Sequence, residues 1–239
     1  MATFSSEFLA LQSSILLKSY HSDVGALCNC KRGPALFRCA GQEYCFGAKL
    51  FCQACILLHH KWLPFHRTEQ WSGKAFLDCS LSAKLGFILY LGHNGDKCPN
   101  LSETTSPRRM VIIHTNGFHN MLIHFCHCSM AISEACQLCD AQLFPATMIR
   151  PQTAFTFSVL DNCHIHTLSS KKPLYDYHDA LAKMTSPTFP QDIPVCRKPK
   201  PSWIFNAKIY LEQIYRAESC LQSLDTSGCC TSPWTGSWH

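Results

Sequence analysis

The segment that decides the fold runs from Cys28 to His66 and reads CNCKRGPALFRCAGQEYCFGAKLFCQACILLHHKWLPFH. Four successive pairs of zinc-ligating residue types follow one another in it: Cys28 and Cys30, Cys39 and Cys45, Cys52 and Cys55, and His60 and His66. A tetrahedral zinc ion takes four such ligands, so eight predict two Zn²⁺ ions. His59, which precedes His60, is an alternative seventh ligand.

Ligand pairs in this order usually interleave between two ions. The first and third pairs then form an all-thiolate site of Cys28, Cys30, Cys52 and Cys55. The second and fourth pairs form a mixed site of Cys39, Cys45, His60 and His66. The alternative is a sequential arrangement, in which the first two pairs share one ion. Only Cys52-x2-Cys55 has the regular knuckle spacing, because the first pair is tighter and the second pair is looser.

The composition also favours metal ligation over disulfide bonding. The chain has 239 residues, of which 17 are Cys and 13 are His, and 46% are apolar. An odd number of cysteines cannot be fully paired. The apolar stretch 8–17 is a poor signal peptide, because Glu7 borders it and no Lys or Arg precedes it. No apolar run reaches the length of a membrane helix. We therefore expect a nuclear or cytoplasmic protein with a buried core, where disulfides are rare.

A hairpin is predicted over residues 110–125. Asn116-Gly117 separates two β-branched, apolar runs and can supply the two positive φ values of a type I′ turn. This turn pairs Thr115 with Phe118 and His114 with His119.

A third metal site is predicted at the open end of this hairpin. Cys126 and Cys128 follow its second strand, Cys98 enters through the preceding loop, and His93 ends the strand before that. Three thiolates and one imidazole would complete a tetrahedral site. The alternative is that Cys126 and Cys128 simply pack on the sheet. The expected cofactor is therefore two zinc ions, or three if this group also binds one.

These patterns predict an α+β protein in which a small cross-braced zinc module precedes a hairpin-containing sheet and C-terminal helices. HRTEQW and FILYLGH have strand character, 136–150 reads as a helix stopped by Pro145, and YDYHDALAKM reads as a helix. Residues 153–169 start with strand propensity and could continue as a helix. The expected divisions are an N-terminal helix (1–24), the zinc module (25–71), the hairpin region (72–130), a helical region (131–185), and a Pro-rich linker with a helix and a disordered tail (186–239).

The sequence FRC…YCFGAKLFCQACILLHHKWLPFHRTEQWSG resembles the cysteine-cluster domain associated with the KDZ transposases of fungi. The resemblance continues through SLSAKLG, LGHNGDKCPN, NGFH, FCHC, LFPAT, PQTAFTFSVLD and YDYHDALAKMT, and so covers about residues 20–185. The arrangement is also similar to cross-braced zinc modules of the B-box type. In this family the second pair is usually a CxxC that runs into FG, and in this chain the insert Ala40–Tyr44 departs from that pattern.

The resemblance implies an accessory segment of a transposable element, which precedes the transposase core. KDZ transposases are similar to enzymes that hold divalent metals with clustered carboxylates. This chain has only 16 Asp and Glu residues, and Asp161 is the single one that looks like a metal ligand at a strand end. The zinc-deaminase signature needs a Pro before its CxxC, where this chain has Phe51. We therefore expect no enzymatic activity and no small-molecule substrate.

DNA and a protein are the two expected classes of partner, and no membrane is expected. Zinc sites with net charges of −2, 0 and −1 would lower the formal charge of +5 to about +2, so that phosphate binding would depend on local basic residues. Arg108 and Arg109, in a loop beside the third site, are the candidate DNA contacts. A protein partner would instead use an apolar patch around Trp62, Leu63, Phe65 and Trp71. A decayed transposon fragment without retained activity is the remaining alternative.

Overall fold

The computed structural model describes residues 7–14, 23–41, 45, 49–102, 104–170, 173–186, 190 and 193. Residues 7–14 are helical (α1). The other helices are α2 (Gln53–His59), α3 (Glu134–Asp140), α4 (Phe157–Ser170) and α5 (Leu174–Thr185). The strands are β1 (Phe37–Cys39), β2 (Leu50–Phe51), β3 (Thr68–Trp71), β4 (Phe76–Asp78), β5 (Ile88–Tyr90), β6 (Arg108–His114), β7 (Gly117–His124), β8 (Leu143–Pro145) and β9 (Thr153–Thr156). The predicted α+β class is confirmed.

The chain divides into two compact units, residues 1–156 and 157–239. The first unit contains both sheets, and the second unit begins with α4 and α5. No helix among the described residues is long and apolar enough to cross a membrane. The helix and the tail predicted within 186–239 lie outside the described residues, as does nearly all of the Pro-rich linker.

The first sheet is antiparallel and four-stranded, with the order β2-β1-β3-β4. Its first three strands lie within the predicted zinc module (25–71), and the strand predicted from HRTEQW is β3. Phe37 of β1 and Ile56 of α2 are buried in one small core, to which the loop after β4 contributes Cys79, Leu81 and Leu85. Strands of two to four residues bury little surface, so this half of the unit depends on other sources of stability.

The second sheet is mixed and five-stranded, with the order β5-β7-β6-β9-β8. The hairpin β6–β7 is antiparallel, whereas β5 lies parallel to β7 and β9 lies parallel to β6. Its core is a cluster of nine apolar side chains: Leu91, Met110, Ile112, Met121, Ile123, Phe125, Leu138, Leu143 and Ala154. The strand predicted from FILYLGH is β5.

The predicted register of the hairpin is wrong by two residues. His114 lies opposite Gly117 and Ile112 lies opposite His119, so the turn consists of Thr115 and Asn116. Gly117 alone takes a positive φ (122°), whereas a type I′ turn would need a positive φ at Asn116 as well. Each side chain nevertheless keeps its predicted face, because side chains alternate with a period of two along a strand.

Two further predictions around β8 and β9 are corrected. Helix α3 ends at Asp140, and Pro145 does not stop a helix but lies in β8, an edge strand that tolerates a missing N–H. The ambiguous segment resolves into a strand over Thr153–Thr156 and a helix from Phe157. Asp161 therefore lies inside α4 and not at a strand end. The helix predicted over 175–184 is confirmed as α5.

Candidate metal centres

Three groups of four Cys or His side chains come together in the described part of the chain, and in each group the ligand atoms all lie within 4.8 Å of one another. The first centre is Cys28, Cys30, Cys52 and Cys55. The second centre is Cys39, Cys45, His60 and His66. The third centre is His93, Cys98, Cys126 and Cys128. The first two sets are interleaved along the chain and not sequential, and the ligand role of all twelve residues stays a prediction.

The first centre joins a tight turn to the start of a helix. The N–H of Cys28 donates to the carbonyl of Gly33 (2.9 Å), and Lys31 takes a left-handed φ of 58°, which reverses the chain directly after Cys30. This reversal lets the short Cys28-x-Cys30 spacing present both sulfurs to one point. Cys52 is the N-cap of α2, and its Sγ lies 3.4 Å from that of Cys30.

The pKa values of the thiols in the first centre are shifted in opposite directions. A hydrogen bond from the backbone of Arg32 lowers the pKa of Cys30 to about 6. Hydrogen bonding to Cys30 in turn raises the pKa of Cys55 to about 12. Backbone hydrogen bonds lower the pKa of Cys28 as well. Metal binding to all four sulfurs would displace the protons that the thiols still hold.

The second centre takes Cys39 from the end of β1 and Cys45 from the segment between β1 and β2. His60 directly follows α2, and His66 lies in the loop after it. The Nδ1 atom of His66 lies 3.5 Å from the sulfurs of Cys39 and Cys45, and the Nε2 atom of His60 lies 3.6 Å from the sulfur of Cys45. His60 is fully buried, and its Nδ1 shares a 2.8 Å hydrogen bond with the carbonyl of Ile56. With Nδ1 donating to that carbonyl, Nε2 is left as the metal ligand.

His59, the alternative seventh ligand, lies outside the second group, which contains His60 instead. Its side chain is exposed and its ring lies 4.9 Å from that of Phe51. The helix decides between the two histidines, because adjacent residues point about 100° apart around its axis.

Gly41 lies against the second centre at the start of the insert. Its N–H donates to the sulfur of Cys39 (3.2 Å), and a Cβ at this position would lie 3.0 Å from His66 Nδ1. Gly41 therefore packs directly against two members of this group, Cys39 and His66. A close approach of this kind needs glycine, and ligand spacing by itself does not reveal it.

The third centre forms where β5 and β7 end side by side. The Nε2 atom of His93 lies 3.3 Å from the sulfur of Cys126 and 3.4 Å from that of Cys128. The sulfur of Cys98 lies 3.8 and 3.7 Å from the same two atoms. Gly92, with a φ of 77°, packs so closely that an added Cβ would lie 3.2 Å from Cys126 Cβ.

Gln137 of helix α3 fixes the backbone of Cys126, a member of the third centre. The Oε1 atom of Gln137 accepts from the N–H of Cys126 (2.7 Å), and its Nε2 donates to the Cys126 carbonyl (3.2 Å) and to that of Ile132 (2.9 Å). Gln137 is buried, and residues that orient a metal ligand in this way affect metal affinity without touching the metal. Sequence reasoning does not find Gln137, since a lone Gln on a helix carries no ligand signal.

The donor sets and their spacing fit zinc. Tetrahedral geometry with Zn–S bonds near 2.3 Å and Zn–N bonds near 2.0–2.1 Å places two sulfurs about 3.8 Å apart and a sulfur and a nitrogen about 3.6 Å apart. The sulfur–sulfur contacts of Cys30 and Cys98 measure 3.4 to 3.8 Å, and the sulfur–nitrogen contacts of the three histidines measure 3.3 to 3.6 Å. The three groups could therefore each hold a metal ion of this kind.

The two arginines predicted to contact DNA do not lie in a loop but begin β6. Each Nη atom of Arg108 donates to one carboxylate oxygen of Glu134, at 2.6 Å in both cases. The guanidinium also lies 4.8 Å from the ring centre of Phe125. The hydrogen bonds from Arg108 lower the pKa of Glu134. Arg108 is thus engaged within the protein, whereas Arg109 is exposed.

A protein-family model matches the part of the chain that contains the third centre. Residues 82–188 match the family model described as CxC2 like cysteine cluster associated with KDZ transposases. The resemblance to these cysteine clusters is confirmed for that segment. The CxC2-like segment contains the third centre, the five-stranded sheet and helices α3 to α5, and it begins after the first and second centres. Comparisons with curated proteins and with solved structures gave no match.

Proposed function

We propose that this chain is a non-catalytic accessory module of a KDZ-type transposon protein, held together by three zinc ions, and that it docks onto a protein partner. The observation that carries the proposal is the convergence of twelve Cys and His side chains into three groups of four. Their donor sets are four sulfurs, two sulfurs with two nitrogens, and three sulfurs with one nitrogen. Structural zinc sites have such closed, four-membered sets, with no position left for a substrate.

Each centre joins segments that the short strands alone would hold weakly. The first centre ties the turn after Cys28 to α2, the second ties β1 to the loop after α2, and the third ties β5 to the end of β7. Structural zinc contributes on the order of 10 kcal/mol of apparent binding free energy in small modules. Zinc would thus compensate for the small core of the first sheet.

The disposition of acidic residues supports a non-catalytic role. Among the described residues, none of the groups that could hold a metal ion contains an Asp or a Glu. Two-metal phosphoryl transfer needs clustered carboxylates, and Asp161 lies within α4. Twelve of the thiols and imidazoles that could act as nucleophiles or bases would be occupied by metal.

Charge and exposure favour a protein partner over DNA. Arg108 is paired with Glu134, and filled zinc sites would bring the net charge of the chain close to neutral. Leu58, in the last turn of α2, and Trp62, just beyond the helix, are both 68% exposed. The apolar patch is smaller than predicted, because Phe65 packs against the core of the second sheet and the Trp71 ring packs against Phe76.

Two measurements test this proposal. Elemental analysis of the purified protein should give three zinc ions per chain, and a value well under one would end the zinc hypothesis. Titration with duplex DNA should show weak binding, with a slope of log K against log salt of only about −2 to −4. Nanomolar, steeply salt-dependent binding that Arg109→Ala weakens would instead identify DNA as the partner.

A further inference from the structure

We infer that Asn116, at the tip of the β6–β7 hairpin, is a positioning residue for the second metal centre, although it belongs to the other sheet and is not a ligand. This inference rests on the proposed function, since it requires that the second centre bind a metal ion. It follows from the contacts that Asn116 makes on both sides of His66.

The backbone and side chain of Asn116 form hydrogen bonds with Phe65 and Arg67, the two neighbours of His66. The amide Nδ2 of Asn116 donates to the carbonyl of Phe65 (2.8 Å). The carbonyl of Asn116 accepts from Nε (3.2 Å) and Nη2 (2.8 Å) of Arg67. The ligand His66 is thus held between two residues that are both bonded to the same turn, 49 to 51 positions away along the chain.

The loop that carries His66 needs such support. Between α2 and β3 it is closed by single turn hydrogen bonds, from Leu63 N–H to the His60 carbonyl (3.1 Å) and from His66 N–H to the Leu63 carbonyl (3.2 Å). Beyond it, the carbonyl of Arg67 accepts from the N–H of Ala40 (2.8 Å), next to the ligand Cys39. The hairpin tip therefore contacts the loop that carries His60 and His66, and this loop is hydrogen-bonded to the residue after Cys39.

Asn116 is itself held in place by the second sheet. Its Oδ1 lies 2.6 Å from Nε2 of His119, whose half-buried ring packs edge-on against Phe65 at a centroid distance of 5.8 Å. Burial lowers the pKa of His119 to about 3, so the ring stays neutral and Nε2–H can donate to Asn116. The contacts also explain the corrected register, because a turn at Asn116-Gly117 would move Asn116 away from Phe65 and Arg67.

The three different donor sets allow each centre to be observed separately. Cadmium-113 NMR of the full chain loaded with Cd²⁺ should give one resonance per centre, because the shift of the metal depends on the number of thiolates that bind it. We expect Asn116→Ala to shift or broaden the resonance of the two-sulfur centre and to leave the other two unchanged. Competition with a chelator should show that this centre alone loses roughly 10- to 100-fold in affinity.

Asn120→Ala is the matched control, because Asn120 lies on the same hairpin, is exposed and faces Val111 across the ladder. Unchanged affinity of the two-sulfur centre in Asn116→Ala relative to Asn120→Ala would overturn the inference. If Asn116→Ala unfolds the sheet and the three-sulfur resonance is also lost, Arg67→Met decides. This variant keeps the hairpin intact but removes both bonds to the Asn116 carbonyl, and it must weaken the two-sulfur centre selectively. Absence of the two-sulfur resonance from the wild-type protein would contradict the proposed function itself.

Discussion

Replacing Gly41 by alanine should selectively weaken metal binding at the second centre. The new Cβ would lie 3.0 Å from Nδ1 and 3.1 Å from Cγ of His66, and 3.3 Å from the sulfur of Cys39. Nδ1 is the atom that faces the two sulfurs of this centre. The φ of Gly41 is one that alanine can also adopt, so the substitution tests the close approach alone.

The size of the effect follows from the overlap. His66 or the Gly41 backbone must move by a few tenths of an ångström, and inserting a methyl into a tightly packed site costs about 1–3 kcal/mol. If the whole cost falls on the metal-bound state, the affinity of this centre drops by about 5- to 150-fold. Chelator competition should measure the loss, and the two-sulfur Cd²⁺ resonance should identify the centre.

Gly33→Ala is the matched control for this prediction. Gly33 lies beside the first centre, and its new Cβ would meet only Cys52 Cβ at an ordinary 3.9 Å. We expect this variant to bind three metal ions with nearly wild-type affinity. Wild-type affinity at all three centres in Gly41→Ala would refute the close packing of Gly41 against His66 and Cys39.

Three further outcomes are expected. Gly92→Ala should disrupt the third centre, because its Cβ would lie 3.2 Å from Cys126 Cβ. Gly86→Ala is the control, since Gly86 has a similar φ of 75° but open space around it, so that this variant should add only backbone strain. Equal zinc loss in both variants would contradict this. Glu134→Gln should lower the free energy of unfolding by at most about 1 kcal/mol. Since Arg108 lowers the pKa of Glu134, the carboxylate stays charged well above the unfolded value of about 4.3. This difference should therefore be constant from pH 8 to 6, which thermal melts of zinc-loaded protein can measure. Excess chelator should unfold residues 25–71, and an unchanged circular dichroism spectrum would argue against coupling of metal binding to folding.

Much of the candidate site could be predicted because ligand chemistry is local in sequence. Thiolates and imidazoles at short spacings have few ways to surround an ion. The order of the pairs from Cys28 to His66 therefore favours two interleaved groups over two sequential ones, and the interleaved grouping is the one in the structure. Cys126-x-Cys128 after a hairpin likewise predicts the place of the third group. Alternation predicts β3, an apolar run predicts β5, and Asn-Gly between two β-branched runs predicts the hairpin for the same reason, since each signal lies within a few residues.

Other features depend on groups that are distant in sequence, and only the tertiary structure decides them. His60 is buried beside the second centre whereas His59 is exposed, and Glu134 pairs with Arg108, which the sequence left as a free basic residue. The hairpin turn lies one residue earlier than the Asn-Gly pair that favours a type I′ turn locally, and in this observed turn Asn116 bonds Phe65 and Arg67. Local propensities differ by about 1 kcal/mol or less, and several hydrogen bonds to a distant segment can outweigh them. No pattern along the chain records which segment will supply those bonds.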